Sequence, residues 1–261
     1  MTANSLVLAL SLVAAPASQP DVEEMIEHAR RVQEADILAW SRHRFLRRVT
    51  REKLNPSGEI LGREVLEFSV TPAESGFDEI LLRIDGRLPT SREVEEHRRA
   101  ARFSKHYARL RAREGDQESS RYSLAHFLRM SAYRYVGREI IEGVACHRIE
   151  FGPGTARSED GLTSKFARSM SGTIWLSEHG LHIVRAEARS VRRISIIWGL
   201  GRVSALEVHM NAAAVPGDDY LPRRIVMRAG GHALGVRFIR RYTYEYSDFV
   251  DIGGATTRRG S

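Results

Sequence analysis

Ser171-Gly172-Thr173-Ile174-Trp175-Leu176-Ser177, then Glu178-His179-Gly180, then His182-Ile183-Val184-Arg185-Ala186-Glu187-Ala188-Arg189: the reading of this stretch decides the fold. Apolar and polar residues alternate with period two on either side of a short connection containing glycine. That is the pattern of a half-buried antiparallel hairpin. Outward from it, the alternation recurs from about Gly137 to Ser247. It predicts strands at about 133–141, 143–151, 171–177, 182–192, 201–213, 221–229 and 233–247. Glu142-Gly143 reads as a tight hairpin turn, and Gly230-Gly231 as the last turn. Upstream, residues 42–53 place Phe45 and Val49 on one face, Asn55-Pro56-Ser57-Gly58 is a turn, and Ile60 to Thr71 aligns Leu66, Phe68 and Val70. With Glu79 to Asp85 these form a β-meander, and the whole is a large, curved, mainly antiparallel sheet.

Helical patterns frame that sheet. Asp21 is positioned to cap a helix running to about Ala39, with Met25, Ile26, Ala29, Val32 and Ala35 at helical spacing and Glu23, Glu24 and Glu27 near its positive end. A second helical segment, 90–130, interrupts the strands. Thr90-Ser91-Arg92-Glu93 matches a capping box and opens a highly charged, basic helix over 92–114. A short amphipathic helix from Tyr122 to Met130 offers Leu124, Phe127 and Leu128 for burial. Residues 153–169 are polar and aperiodic, a long exposed loop, and 251–261 end in a basic, structureless tail. Neither a repeat nor an interdomain linker interrupts 18–250, which reads as one domain.

The formal net charge is +7, and of the 40 basic side chains all but Lys53, Lys105 and Lys165 are arginines. Arginine pairs bidentately with phosphate, which raises the question of nucleic acid. Here the arginines alternate with acids and apolar residues along strands (Arg185, Glu187, Arg189; Arg237, Ile239, Arg241), as on a solvated sheet face. No nucleic-acid partner is expected. Residues 1–17 have the form of a signal peptide: an apolar run from Leu6 to Ala15 broken only by Ser11, then Ala15-Pro16-Ala17 as a small-x-small cleavage site. Met1 to Ser5 lacks the usual basic residue. The expectation is export to the periplasm.

Candidate chemistry is sparse. Cys146 is the single cysteine and sits beside His147 on a strand pattern, so the two side chains point to opposite faces and do not form a catalytic pair. His147, His179 and His182 lack the ligand spacing of a zinc site. There is no G-x-S-x-G elbow, no phosphate-cradling glycine loop and no His-Glu-x-x-His. Glu139 with Glu142, and Asp218 with Asp219, are acid pairs by sequence alone. No catalytic residue, metal or cofactor is expected, and the chain does not read as an enzyme.

The order of elements resembles the periplasmic lipoprotein-carrier (Lol-type, outer-membrane lipoprotein-sorting) superfamily. An N-terminal helix precedes a three-strand meander and a helical insertion. Tyr135-Val136-Gly137-Arg138-Glu139-Ile140-Ile141-Glu142-Gly143-Val144-Ala145-Cys146-His147 then precedes Gly172-Thr173-Ile174-Trp175-Leu176. Tyr220-Leu221-Pro222-Arg223 and a closing Tyr244-Glu245-Tyr246-Ser247-Asp248-Phe249 complete the similarity, which spans roughly 22–250. It implies an α+β, mainly β fold: an incomplete barrel of about 10–11 strands with helices on the concave face, enclosing an apolar cavity for acyl chains.

The sequence independently supplies apolar residues of one parity to line such a cavity: Leu66, Phe68 and Val70; Ile174 and Leu176; Leu206, Val208 and Met210; Ile225 and Met227; Leu234, Val236 and Phe238. The same stripe would also serve as plain core. Tyr242, Tyr244 and Tyr246 share a face of the closing strand, as cross-strand aromatic packing requires. Ile194 to Gly201 is the most apolar piece after the signal, flanked by Arg192, Arg193 and Arg202. As a hairpin tip it would present Ile197 and Trp198 to lipid and Arg192 and Arg193 to headgroups. The expected function is non-enzymatic: binding a lipid or lipoprotein acyl chain at the cell envelope, with an anionic membrane surface or an acidic protein as further partner. The competing reading is a scaffold that docks an acidic partner through the helix 92–114.

Overall fold

The computed structural model describes residues 21–73, 76–99, 128, 131–154, 168–196, 201–233 and 236–253. The segment 1–17, most of the insertion 90–130, Ile197, Trp198, Leu234 and the tail from 254 lie outside the described residues. Helix α1 spans Val22–Ala39, and the Asp21 carboxylate accepts from the backbone N–H groups of Glu23 and Glu24, so its N-terminus is capped as the sequence requires. A single 3-10 turn, Trp40–Arg42, leads into β1 (His43–Leu54), followed by β2 (Ile60–Ala73) and β3 (Gly76–Ile84). Helix α2 begins at residue 91 and is described to 99. Thr90 and Glu93 bond reciprocally in its capping box. Then come β4 (Ser131–Ile141), β5 (Val144–Pro153), β6 (Met170–Ser177), β7 (Ile183–Ser190), β8 (Ile194–Ile196), β9 (Gly201–Ala214), β10 (Tyr220–Ala233) and β11 (Val236–Asp251).

These strands form one antiparallel sheet in the order β3-β2-β1-β11-β10-β9-β7-β6-β5-β4, with β8 pairing β9 off that path. β3 and β4 end the path and do not pair with each other, so the sheet is open: a mainly β, incomplete barrel. β11 joins the meander to the rest, with Val49 opposite Tyr244 on one side and Ile225 opposite Tyr244 on the other. The expected turn at Glu142-Gly143 is present, both residues adopting positive φ (50° and 85°) as a two-residue hairpin demands. The turn expected at Gly230-Gly231 is not there. Both glycines lie inside β10, which continues to Ala233. A Cβ on Gly231 would sit 2.0 Å from the Arg202 carbonyl oxygen, so close approach of β9 requires the glycine.

Period-two alternation sorts the side chains onto two faces. The face carrying α1, the concave one, holds two packed clusters. Met25, Ile26 and Ala29 of α1 pack with Ile149, Phe151, Ile174, Leu176 and Ile183, together with Leu128. At the other side of the sheet Ala39, Phe45, Val49, Leu66, Phe68 and Val70 pack with Leu221 and Phe249, and Trp40 lies edge-on to Phe45 at 4.8 Å. A smaller cluster on the convex face gathers Ile141, Cys146, Trp175 and Val184. Cys146 is fully buried there and its thiol pKa is pushed up, chiefly by burial, while His147 turns to the concave side and meets Tyr135.

The strand connections define two rims. The β1–β2, β7–β8–β9 and β10–β11 connections share what we call the upper rim, and the β4–β5, β6–β7 and β9–β10 connections the lower one. α1 is tied near the lower rim. Asp36, buried on α1, accepts from Gln33 Nε2 (3.0 Å) and lies 3.1 Å from His182 Nδ1, whose ring stacks on Tyr220 at 4.5 Å.

Candidate functional site

Register places one residue from each successive strand in a transverse row on the concave face. The central row runs Ile149, Ile174, Ala186, Met210, Ile225, Tyr244, Val49, Leu66 from β5 to β2. The next row toward the upper rim runs Phe151, Gly172, Ala188, Val208, Met227, Tyr242, Arg51, Glu64. The ends of the central row lie in the two packed clusters, whereas the second row starts at the packed Phe151 and ends in the Arg51–Glu64 ion pair. Their middle is different. Val208, Ile225, Met227, Phe238 and Tyr242 are half-buried and belong to neither cluster. Ala186, Ala188 and Met210 flank them and pack only partly against the first cluster. Four neighbouring strands, β7, β9, β10 and β11, thus offer an apolar floor roughly 14 Å wide, at about 4.8 Å between strands. Its members Ala186 and Ala188 are small, and the flexible Met210 and Met227 adapt to irregular apolar shapes.

The sequence-selected residues fall into three groups. Leu66, Phe68, Val70, Ile174 and Leu176 are on the concave face but almost wholly buried, at 0–2 % exposure, within the packed clusters. Leu206, Val208, Ile225, Met227 and Phe238 are half-buried on the same face. Val236 reaches the upper rim and is 68 % exposed. Arg192 and Arg193 are exposed beside that rim, whereas Ile194, the first residue of β8, is buried at 1 % exposure. Ala186 and Ala188 escaped notice in the sequence because small residues carry no hydrophobic signal. Only their register opposite Met210 and Val208 reveals them.

Charge borders the floor on the meander side. Arg47 pairs with Glu79 at 2.8 Å and its guanidinium lies 4.8 Å from the Phe68 ring centroid, while Arg51 pairs with Glu64 at 3.1 Å. α2 covers this corner, its His97 ring 4.9 Å from Phe68. Burial, with Arg51 and Arg47 adding to it, holds the His97 pKa below the ordinary imidazole range against the pull of Glu79 and Glu64. The Tyr246 phenol is pushed up to about 12, first by burial.

A depression of about 570 Å³ lies elsewhere, on the convex face. Thr173, Glu187 and His209 form its central row, with Glu150, Arg189 and Glu207 around them. Its acids are already answered: Glu187 pairs with Arg185, and Glu207 lies 3.8 Å from Arg228. Charged side chains make up much of this hollow's lining, beside Phe151, Gly172 and Ala188, so its volume alone does not identify a site for a hydrocarbon chain. Among the described residues no group of three or more His, Cys, Asp or Glu could hold a metal ion, and no helix is long and apolar enough to cross a membrane.

No protein-family profile matches the chain, and no curated protein matches it. Solved structures resemble it at low identity. An outer membrane lipoprotein-sorting protein domain from Vibrio parahaemolyticus, so named provisionally, is 11 % identical over 90 % of this chain and 94 % of its own, with a TM-score of 0.39. A DUF1329 family protein from Desulfovibrio piger is 11 % identical over 89 % and 94 %, TM-score 0.39. A LolA superfamily protein from Nitrosomonas europaea is 13 % identical over 88 % and 93 %, TM-score 0.34.

Proposed function

We propose that this protein binds an apolar ligand, an acyl chain of a lipid or lipoprotein, on the concave floor formed by β7, β9, β10 and β11, and holds it at the cell envelope without chemical conversion. The observation that carries the reading is the half-buried set Val208, Ile225, Met227, Phe238 and Tyr242, an apolar surface between two clusters that are themselves fully packed. Ordinary core would have closed over it. Each methylene moved from water onto such a surface contributes about 0.8 kcal/mol, so a chain of a dozen or more carbons outweighs the cost of ordering it. The floor carries no charged side chain in the central row between Ile149 and Leu66, which favours a hydrocarbon tail there. The bordering Arg47 and Arg51, though paired, lie where a polar headgroup would emerge. The apolar run at 6–15 supports an exported location.

The test is native mass spectrometry of the full chain purified from a bacterial envelope, followed by titration with a fluorescent fatty acid. Co-purified lipid and saturable binding are expected. The Ala186→Phe/Ala188→Phe variant, filling the floor from β7, should lose at least tenfold in affinity while its circular dichroism spectrum is kept. An empty wild-type protein that also fails to bind the fatty acid defeats the proposal.

A further inference from the structure

Ion pairing is unevenly distributed over the sheet. Lys53, Arg192, Arg193, Arg202, Arg237 and Arg240 are all exposed, and among the described residues none of them makes an ion pair or a side-chain hydrogen bond. All six belong to the connections and strand ends of the upper rim. Arg202 lies opposite His232, which lies opposite Arg237, and Lys53 lies opposite Arg240. The lower rim has the reverse composition, with Glu142, Glu178, Asp218, Asp219 and Asp251 at its turns and strand ends. Arg42 pairs there with Asp219 and Arg138 with Glu178, and the exposed Arg44 is the exception, with no ion pair among the described residues. Among the described residues the molecule is therefore polarised along its strands, with most of its unanswered positive charge at the upper end.

The same upper rim carries exposed aliphatic side chains: Ile60 at 50 %, Leu61 at 60 %, Val191 at 49 % and Val236 at 68 % exposure. They sit at three separate connections, β1–β2, β7–β8 and β10–β11, interleaved with the free cations. We propose that the upper rim is a docking surface for an anionic phospholipid bilayer, its guanidinium and ammonium groups meeting headgroup phosphates while the aliphatic tips enter the interface. A basic residue held near such a surface raises binding about fivefold, and these six, having no ion-pair partner among the described residues, break no such pair on docking. Nucleic acid fits less well, because the rim supplies aliphatic tips where single-strand binders supply stacking aromatics. An acidic protein would want the cations but leaves the aliphatic tips unexplained. The inference stands on charge and exposure at the rim and does not require a ligand on the concave floor.

The experiment is co-sedimentation of the full chain with phosphatidylcholine vesicles containing or lacking phosphatidylglycerol, across a salt series. Binding to the anionic vesicles alone, weakening as salt rises, is expected. Arg237→Glu/Arg240→Glu should lower it at least tenfold, and Val236→Asp several-fold. Arg138→Glu/Arg224→Glu, which changes the net charge equally but lies away from the rim, should leave it within twofold. Wild-type protein that ignores anionic vesicles, including one captured by polyglutamate instead, overturns the proposal. So does equal loss in both double variants.

Discussion

At the scale of single residues, the buried charges show how this sheet tolerates so many arginines. Glu52 is only 7 % exposed on the convex face of β1, and Arg241, its cross-strand neighbour on β11, donates to it. That hydrogen bond, more than any other influence, holds the Glu52 pKa below the ordinary carboxylate value, and burial opposes it. A depressed carboxylate contributes stability that is complete above its unfolded value, about 4.3, and lost as pH falls through the folded one. Urea denaturation should therefore show Glu52→Gln to be less stable at pH 7 by about 1–3 kcal/mol. The deficit should shrink as the pH is lowered toward 3. A constant difference across that range would refute the assignment. Residue identity was legible for the strongly patterned positions: Phe45, Val49, Leu66, Phe68 and Val70 share the face that alternation gave them. It was not legible for Gly231, where a glycine pair looked like a turn but serves the close passage of two strands.

At the scale of elements, α1 and α2 cover the same face by different means. α1 is held by apolar packing and by the Asp36–His182 contact beneath it. α2 is mostly charged, and its described contact with the wall runs through His97 on Phe68. A base held below its unfolded value, about 6.5, favours the docked helix most fully above that pH and loses this contribution as pH falls through the lower folded value. Amide hydrogen exchange over 91–99 should accordingly accelerate between pH 7.5 and pH 5 beyond the intrinsic chemical dependence. His97→Leu should remove that acceleration. Persistence of the step in His97→Leu would place its origin elsewhere. Helix α1, its Asp21 cap and the α2 capping box could be read from sequence because capping is a local grammar of a few residues. The order of strands in the sheet and the floor made by Ala186 and Ala188 were hidden. Register is a relation between segments far apart in the chain, and no short window contains it.

At the scale of the molecule, the open sheet depends on one long-range seam. β1 pairs with β11 from His43 opposite Asp251 to Lys53 opposite Arg240, so the strand formed first is satisfied by the strand formed last. Most other pairings are hairpins between neighbours in sequence, which form early and cheaply. A chain ending at residue 235 would leave β1 and β10 as long unpaired edges and is expected to be insoluble. A soluble, monomeric product from that truncation, seen by size-exclusion chromatography, would show the seam to be dispensable. The seam means that everything from β1 through β11 must be delivered before the fold can exist. Until β11 arrives, two sticky borders wait for a partner, and a crowded cell offers many wrong ones. Survival of the newborn protein is then a race between the arrival of β11 and meeting a stranger, which makes shielding of the unfinished sheet a condition of its production.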